Sequence, residues 1–179
     1  MNRIRFTALA GAFIAAAALC VTGNAWAQTK YTITEAPSSS SKYLQEHVID
    51  AGDIPGHQVR IYEIRYEYPK KDLAFAGVKV TESLTRGMSD YTNWSGSFVT
   101  YSVYNLEDGN KVFSRSTGAT QSTTNADGTR AFKFSFIENF VGGTGQFKGI
   151  RGQTRGSGER AAGANTLTQQ SSGEYWIEE

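Results

Sequence analysis

The chain has 179 residues, one cysteine, three prolines and nineteen glycines, with 18 basic against 17 acidic side chains. This near-neutral charge offers no basic footprint for nucleic acid or an anionic membrane surface. A lone cysteine excludes an internal disulfide framework.

The first 27 residues have the order of a secretory signal: Arg3 and Arg5, an alanine-rich apolar stretch from Phe6 to Val21, then Ala25-Trp26-Ala27 with small residues at −3 and −1. The stretch is too rich in alanine to make a strong permanent membrane span, and Leu19 before Cys20 is too bulky for a lipoprotein signal. Cleavage after Ala27 is therefore expected, giving an exported protein, periplasmic or extracellular. It removes Cys20, Arg3 and Arg5, so the exported residues 28–179 have no thiol and a net charge near −1. Without a disulfide, such a domain is held by its core.

Residues 28–56 are the least patterned, with a polar run over Ser38–Ser41 and either a helical turn or an irregular arm over Lys42–Asp50. The ordered domain is expected over residues 57–179, where alternation with a period of two dominates. A strand over Gln58–Tyr68 carries Val59, Ile61, Glu63 and Arg65 in one register. A second, over Gly77–Tyr91, places Val78, Val80, Glu82, Leu84, Arg86 and Met88 on one face. Trp94–Leu106 is a third, and an Asp-Gly turn at Glu107–Asn110 leads into Lys111–Ala119, where Arg115 falls in step with Phe113. After a turn at Ala126–Gly128, the strand Thr129–Phe140 puts Phe132, Phe134, Phe136, Glu138 and Phe140 on one face. A glycine-punctuated hairpin over Gly142–Gly158, a loop over Ala161–Ser171 and a last strand over Gly173–Ile177 complete the chain. Seven or eight strands, short turns and no helical periodicity predict an all-β domain, a single antiparallel up-and-down barrel whose closure hides the edges of an aromatic-rich sheet.

The segment Val141-Gly142-Gly143-Thr144-Gly145-Gln146-Phe147-Lys148-Gly149-Ile150-Arg151-Gly152 resembles the glycine-rich hairpin of dirigent proteins and its counterpart in allene oxide cyclases. The resemblance covers a dozen residues and implies an eight-stranded barrel that holds an apolar or aromatic small molecule inside, without a cofactor, in a protein that assembles as a dimer or trimer. The chain departs from the dirigent pattern in having no disulfide, and no motif places the cyclase's catalytic acid.

Charges on otherwise apolar faces are the candidate site residues, because a charge buried without a partner is expensive. Glu82 and Glu138 are candidate general acids or bases, and Arg86, Arg115, Glu63, Tyr101 and Tyr104 are candidate ligand contacts. The competing reading is structural: ion pairs near a barrel rim, and tyrosines that brace a sheet. His47 and His57 lie without cysteines nearby, so no metal site is expected. Three functions remain open: an exported binder of a small apolar or aromatic molecule, a cofactor-free cyclase or isomerase, and a structural or protein-interaction barrel with a packed interior.

Overall fold

A computed structural model describes residues 29–35, 40–69, 73–161 and 168–178. The signal segment and residues 162–167 of the expected loop lie outside the described residues. The described chain is all-β, with ten strands: β1 (Lys30–Glu35), β2 (Ser40–Asp50), β3 (His57–Glu67), β4 (Ala74–Phe75), β5 (Val78–Thr92), β6 (Ser95–Leu106), β7 (Lys111–Thr124), β8 (Arg130–Gly143), β9 (Ile150–Ala161) and β10 (Thr168–Ile177). Among the described residues no helix is long and apolar enough to cross a membrane.

All pairings are antiparallel, and the sheet runs β1-β10-β9-β8-β7-β6-β5-β3-β2, with β4 as a short flap on β5. Strands expected as an unpatterned arm, β1 and β2, are its two edges. They also follow one another in the chain, and chain length then bends the sheet. From Glu35 to Ser40 the backbone spans at most about 19 Å, whereas the edges of a flat sheet of nine strands would stand about 38 Å apart. The sheet curls accordingly, and Arg160 of β9 stands over the ring of Tyr43 on β2, 5.8 Å from its centroid. No ladder joins β1 to β2 among the described residues.

One end of the curl is packed solid. The tight turn Ala76-Gly77, both residues at positive φ, folds β4 against β5 and drives Phe75 inward until it is fully buried. Its ring meets Tyr104, Phe140, Phe147 and Tyr175 at centroid distances of 5.7, 5.3, 6.3 and 5.4 Å, every pair edge-on. This geometry places the positive ring edge against a negative face. Leu73, Val80, Leu106, Val112 and Ile150 fill the remaining space. The glycine-rich segment closes this end: Gly145 takes φ 53° in the turn, and Phe147 is completely buried.

Three β-bulges set which side chains face inward, and the one on β2 leaves Leu44 extra between Tyr43 and Gln45, so that Tyr43 and Glu46 both line the interior. On β5, Val80 pairs with Leu106 but Glu82 with Asn105, so Thr81 is an extra residue and alternation restarts one position later. On β8, Val141 is extra between Phe140 and Gly142. Phe75→Ala should therefore lower unfolding free energy by about 3–5 kcal/mol in urea titrations, and Phe75→Leu by clearly less. No measurable loss in Phe75→Leu would mean that the edge-on ring contacts contribute nothing beyond volume.

Candidate functional site

The other end of the curl is hollow. A cavity of about 470 Å³ opens there, and its walls differ in chemistry. Strand β8 supplies Phe132, Phe134 and Phe136, whereas β5, β6 and β7 supply Ser83, Thr85, Thr100, Ser102, Ser116 and Thr120. Tyr43, Tyr62, Tyr66 and Tyr68 form a third wall, and burial pushes the hydroxyl pKa values of Tyr62 and Tyr66 upward. Two hydroxyls of the polar wall, those of Thr85 and Ser102, bond each other at 2.8 Å.

The rings tile the walls because glycines make room for them. Tyr62 pairs across the sheet with Gly87, Phe98 with Gly118, Phe136 with Gly156 and Phe134 with Gly158. In each pair a β-carbon on the glycine would fall 2.3–2.5 Å from a carbon of that ring. The absent side chain lets the ring lie against the neighbouring strand and leaves the space beyond it open.

Glu138 is 2 % exposed and lines this cavity. The hydroxyls of Tyr104 and Ser114 donate to its Oε1 at 2.7 and 2.5 Å, and the Thr154 hydroxyl donates to Oε2 at 3.2 Å. Burial drives the carboxyl pKa up and prevails over the three hydroxyl donors, which pull it down.

Of the residues singled out from sequence, Glu138 and Tyr104 meet in this site. The face assignment of the others is corrected. Glu82, Arg86 and Met88 point outward because the bulge at Thr81 reverses the alternation assumed from Val80, and Met88 is 51 % exposed. Glu63 and Arg65 lie outward on β3, where Arg60, Tyr62, Ile64 and Tyr66 face the cavity instead. Glu63 pairs with Arg86 at 2.7 Å and Arg65 with Glu82 at 3.5 Å, both as cross-strand surface ion pairs. Exposed pairs of this kind contribute about 0.2–1 kcal/mol. Arg115 and Tyr101 lie outward together, with the Arg115 Nε donating to the Tyr101 hydroxyl at 3.4 Å. Tyr101 and Tyr104 are three apart, and a strand sends such residues to opposite faces.

Sequence reading missed the rim of the cavity. Arg60 is buried, its Nη2 pairs with Glu46, and its guanidinium carbon lies 4.3 Å from the centroid of the Trp94 ring. Trp94 packs on Phe132 at 5.5 Å. With Asn93 it makes the two-residue turn between β5 and β6, at φ 51° and 68°. A bulky side chain in that left-handed region costs about 1–2 kcal/mol relative to glycine. His57 bridges Asp53 at 2.6 Å and Asp90 at 2.7 Å, tying the turn before β3 to the end of β5. Its hydrogen bonds to Asp90 and Asp53 raise its pKa. Among the described residues no cluster of three His, Cys, Asp or Glu could hold a metal ion.

Comparison with known proteins finds no match to a family model, to a curated protein or to a solved structure.

The raised Glu138 pKa has a definite sign for stability. The native state holds this proton more tightly than the unfolded chain, whose glutamates titrate near 4.5. Stability is therefore greatest below that value and falls as pH rises through the native pKa. In urea unfolding, Glu138→Gln should match the wild type at about pH 5 and exceed it at about pH 8. Glu138→Leu leaves three buried hydroxyls without their acceptor and should lose about 1–3 kcal/mol at both.

Proposed function

We propose that this is an exported barrel protein that binds a small apolar or aromatic molecule inside the curled sheet, without a cofactor. The observation that carries the reading is the hollow end: a cavity of about 470 Å³ is kept open by rings laid on paired glycines. A structural barrel would fill that volume, because close-packed interiors tolerate few voids larger than a water molecule. Cavities of this size suit ligands of a few fused or linked rings. The pairing of the last strand with the first supports a barrel topology. The hairpin at residues 141–152 supports kinship with the dirigent and allene oxide cyclase barrels. The Ala25-Trp26-Ala27 site supports export.

A second reading, a cofactor-free cyclase or isomerase, is favoured by Glu138 alone. A carboxyl whose pKa is raised by burial, placed beside a ligand, is positioned to donate a proton. Ligand recovered from the native protein should then be altered on incubation with wild type and unaltered with Glu138→Gln.

Native mass spectrometry of protein purified from its own compartment should show an extra small mass that is lost on denaturation. Gly87→Ala tests the cavity directly, because the three atoms nearest its new methyl all belong to the Tyr62 side chain, which must swing into the open volume. That variant should retain its fold at a cost of about 1–3 kcal/mol and lose the extra mass. A wild type without bound or bindable apolar ligand would overturn the reading.

A further inference from the structure

Trp94 stands where the chain should prefer glycine. The comparable two-residue turn between β4 and β5 puts Gly77 at its second position, at φ 83°, while the turn between β5 and β6 puts Trp94 there at 68°. Strain retained in a bulky residue calls for a role in its side chain. That side chain lines the cavity, is 38 % exposed to solvent, and so marks its rim. It carries Arg60 on its ring and touches Phe132, the outermost phenylalanine of the aromatic wall.

Arg60 is unusual in a second way. Its residue is 9 % exposed, and its Nε is buried with no hydrogen-bond partner, whereas buried guanidinium N–H groups are normally satisfied. The Glu46 carboxylate engages Nη2 and leaves Nε–H free. Arg160 lines the same cavity, and the Glu138 carboxyl is held by three hydroxyls.

We propose that Trp94 and Arg60 form a rim subsite for the anionic end of an aromatic ligand: the indole packs on the ligand's ring and the Arg60 guanidinium donates to its oxyanion. This rests on the cavity being a ligand site, and it narrows the ligand to a planar, apolar body that ends in a carboxylate, sulfonate or phenolate. The body runs along Phe132, Phe134 and Phe136 toward Glu138, and the acidic group stays at the mouth. Asn93 and Trp94 hold the indole on a short, rigid turn, and His57 fixes the neighbouring turn to the end of β5.

The test uses two probes with one skeleton, 8-anilinonaphthalene-1-sulfonate and the uncharged N-phenyl-1-naphthylamine, titrated by fluorescence into the folded protein. Wild type should bind the sulfonate about ten- to hundredfold more tightly, the range of a charge-assisted hydrogen bond. Arg60→Gln should bring the sulfonate down to the affinity of the neutral probe and leave the neutral probe unchanged. Glu46→Gln, which removes the competing carboxylate, should widen the preference. Trp94→Gly should weaken both probes while raising the melting temperature by about 2–4 °C, because the turn is relieved as the subsite is lost. Near-UV circular dichroism distinguishes these effects from probe uptake by a loosened core. If Arg60→Gln does not fold, the opposite shift in Glu46→Gln decides. Equal wild-type affinity for the two probes, both weakened by Gly87→Ala, would overturn the subsite and spare the cavity. No binding of either probe would overturn the cavity reading itself. A Trp94→Gly variant that is less stable, or that binds unchanged, would also overturn the subsite.

Discussion

The edge-on cluster around Phe75 is the contact on which the rest of the molecule depends. A curl of this many strands encloses more volume than side chains from its own walls fill at one level. Phe75 is not part of the wall. It is delivered from a two-residue flap and is surrounded by rings from β6, β8, β10 and the turn at Gly145–Phe147. The Tyr175 hydroxyl also accepts the backbone N–H of Ala76 at 2.5 Å, so the flap is pinned where the ring enters. With this end plugged, the packed core and the hollow end become separate regions of one sheet.

The hollow end works on the opposite principle. Its aromatic rings stay at the wall because the residues paired with them are glycines, and its other walls carry hydroxyl groups in place of aliphatic side chains. Buried hydroxyls are costly unless bonded, and several find partners among themselves or on Glu138. The same carboxyl satisfies three of them and gives up its own ionisation range by being buried. Stability at this end thus comes from hydrogen bonds and ring-on-backbone contact, and packing density is given over to open volume.

The strand pattern was legible, but the faces were only partly so. On β8 the phenylalanines alternate with Lys133 and Ser135, so Glu138 was placed correctly among them. On β3 both faces carry apolar atoms: aliphatic Val59 and Ile61 outward, Tyr62 and Tyr66 inward. Alternation then has no sign. On β5 a single extra residue, Thr81, exchanged Glu82 and Arg86 for Ser83 and Thr85. Strand β1 buries Ile33 but is only six residues long, too short for its alternation to stand out; strand β2 was missed because it has little to bury. Most of β2 is exposed, so selection for a one-sided pattern is weak there.

Local residue chemistry determined the all-β class, the turns at Glu107–Asn110 and Ala126–Gly128, and the tight glycine segment that buries Phe147. Period-two alternation and turn preferences are properties of a few neighbouring residues, and they survive without knowledge of the whole. Tertiary structure decided which face turned inward, that Glu138 received three hydroxyl donors, and that Arg60 met Trp94 at a rim. Each depends on bulges and on cross-strand partners tens of residues away. Hydrophobic alternation identifies the inside of a sheet only where the inside is packed, and the hollow end of this interior is not.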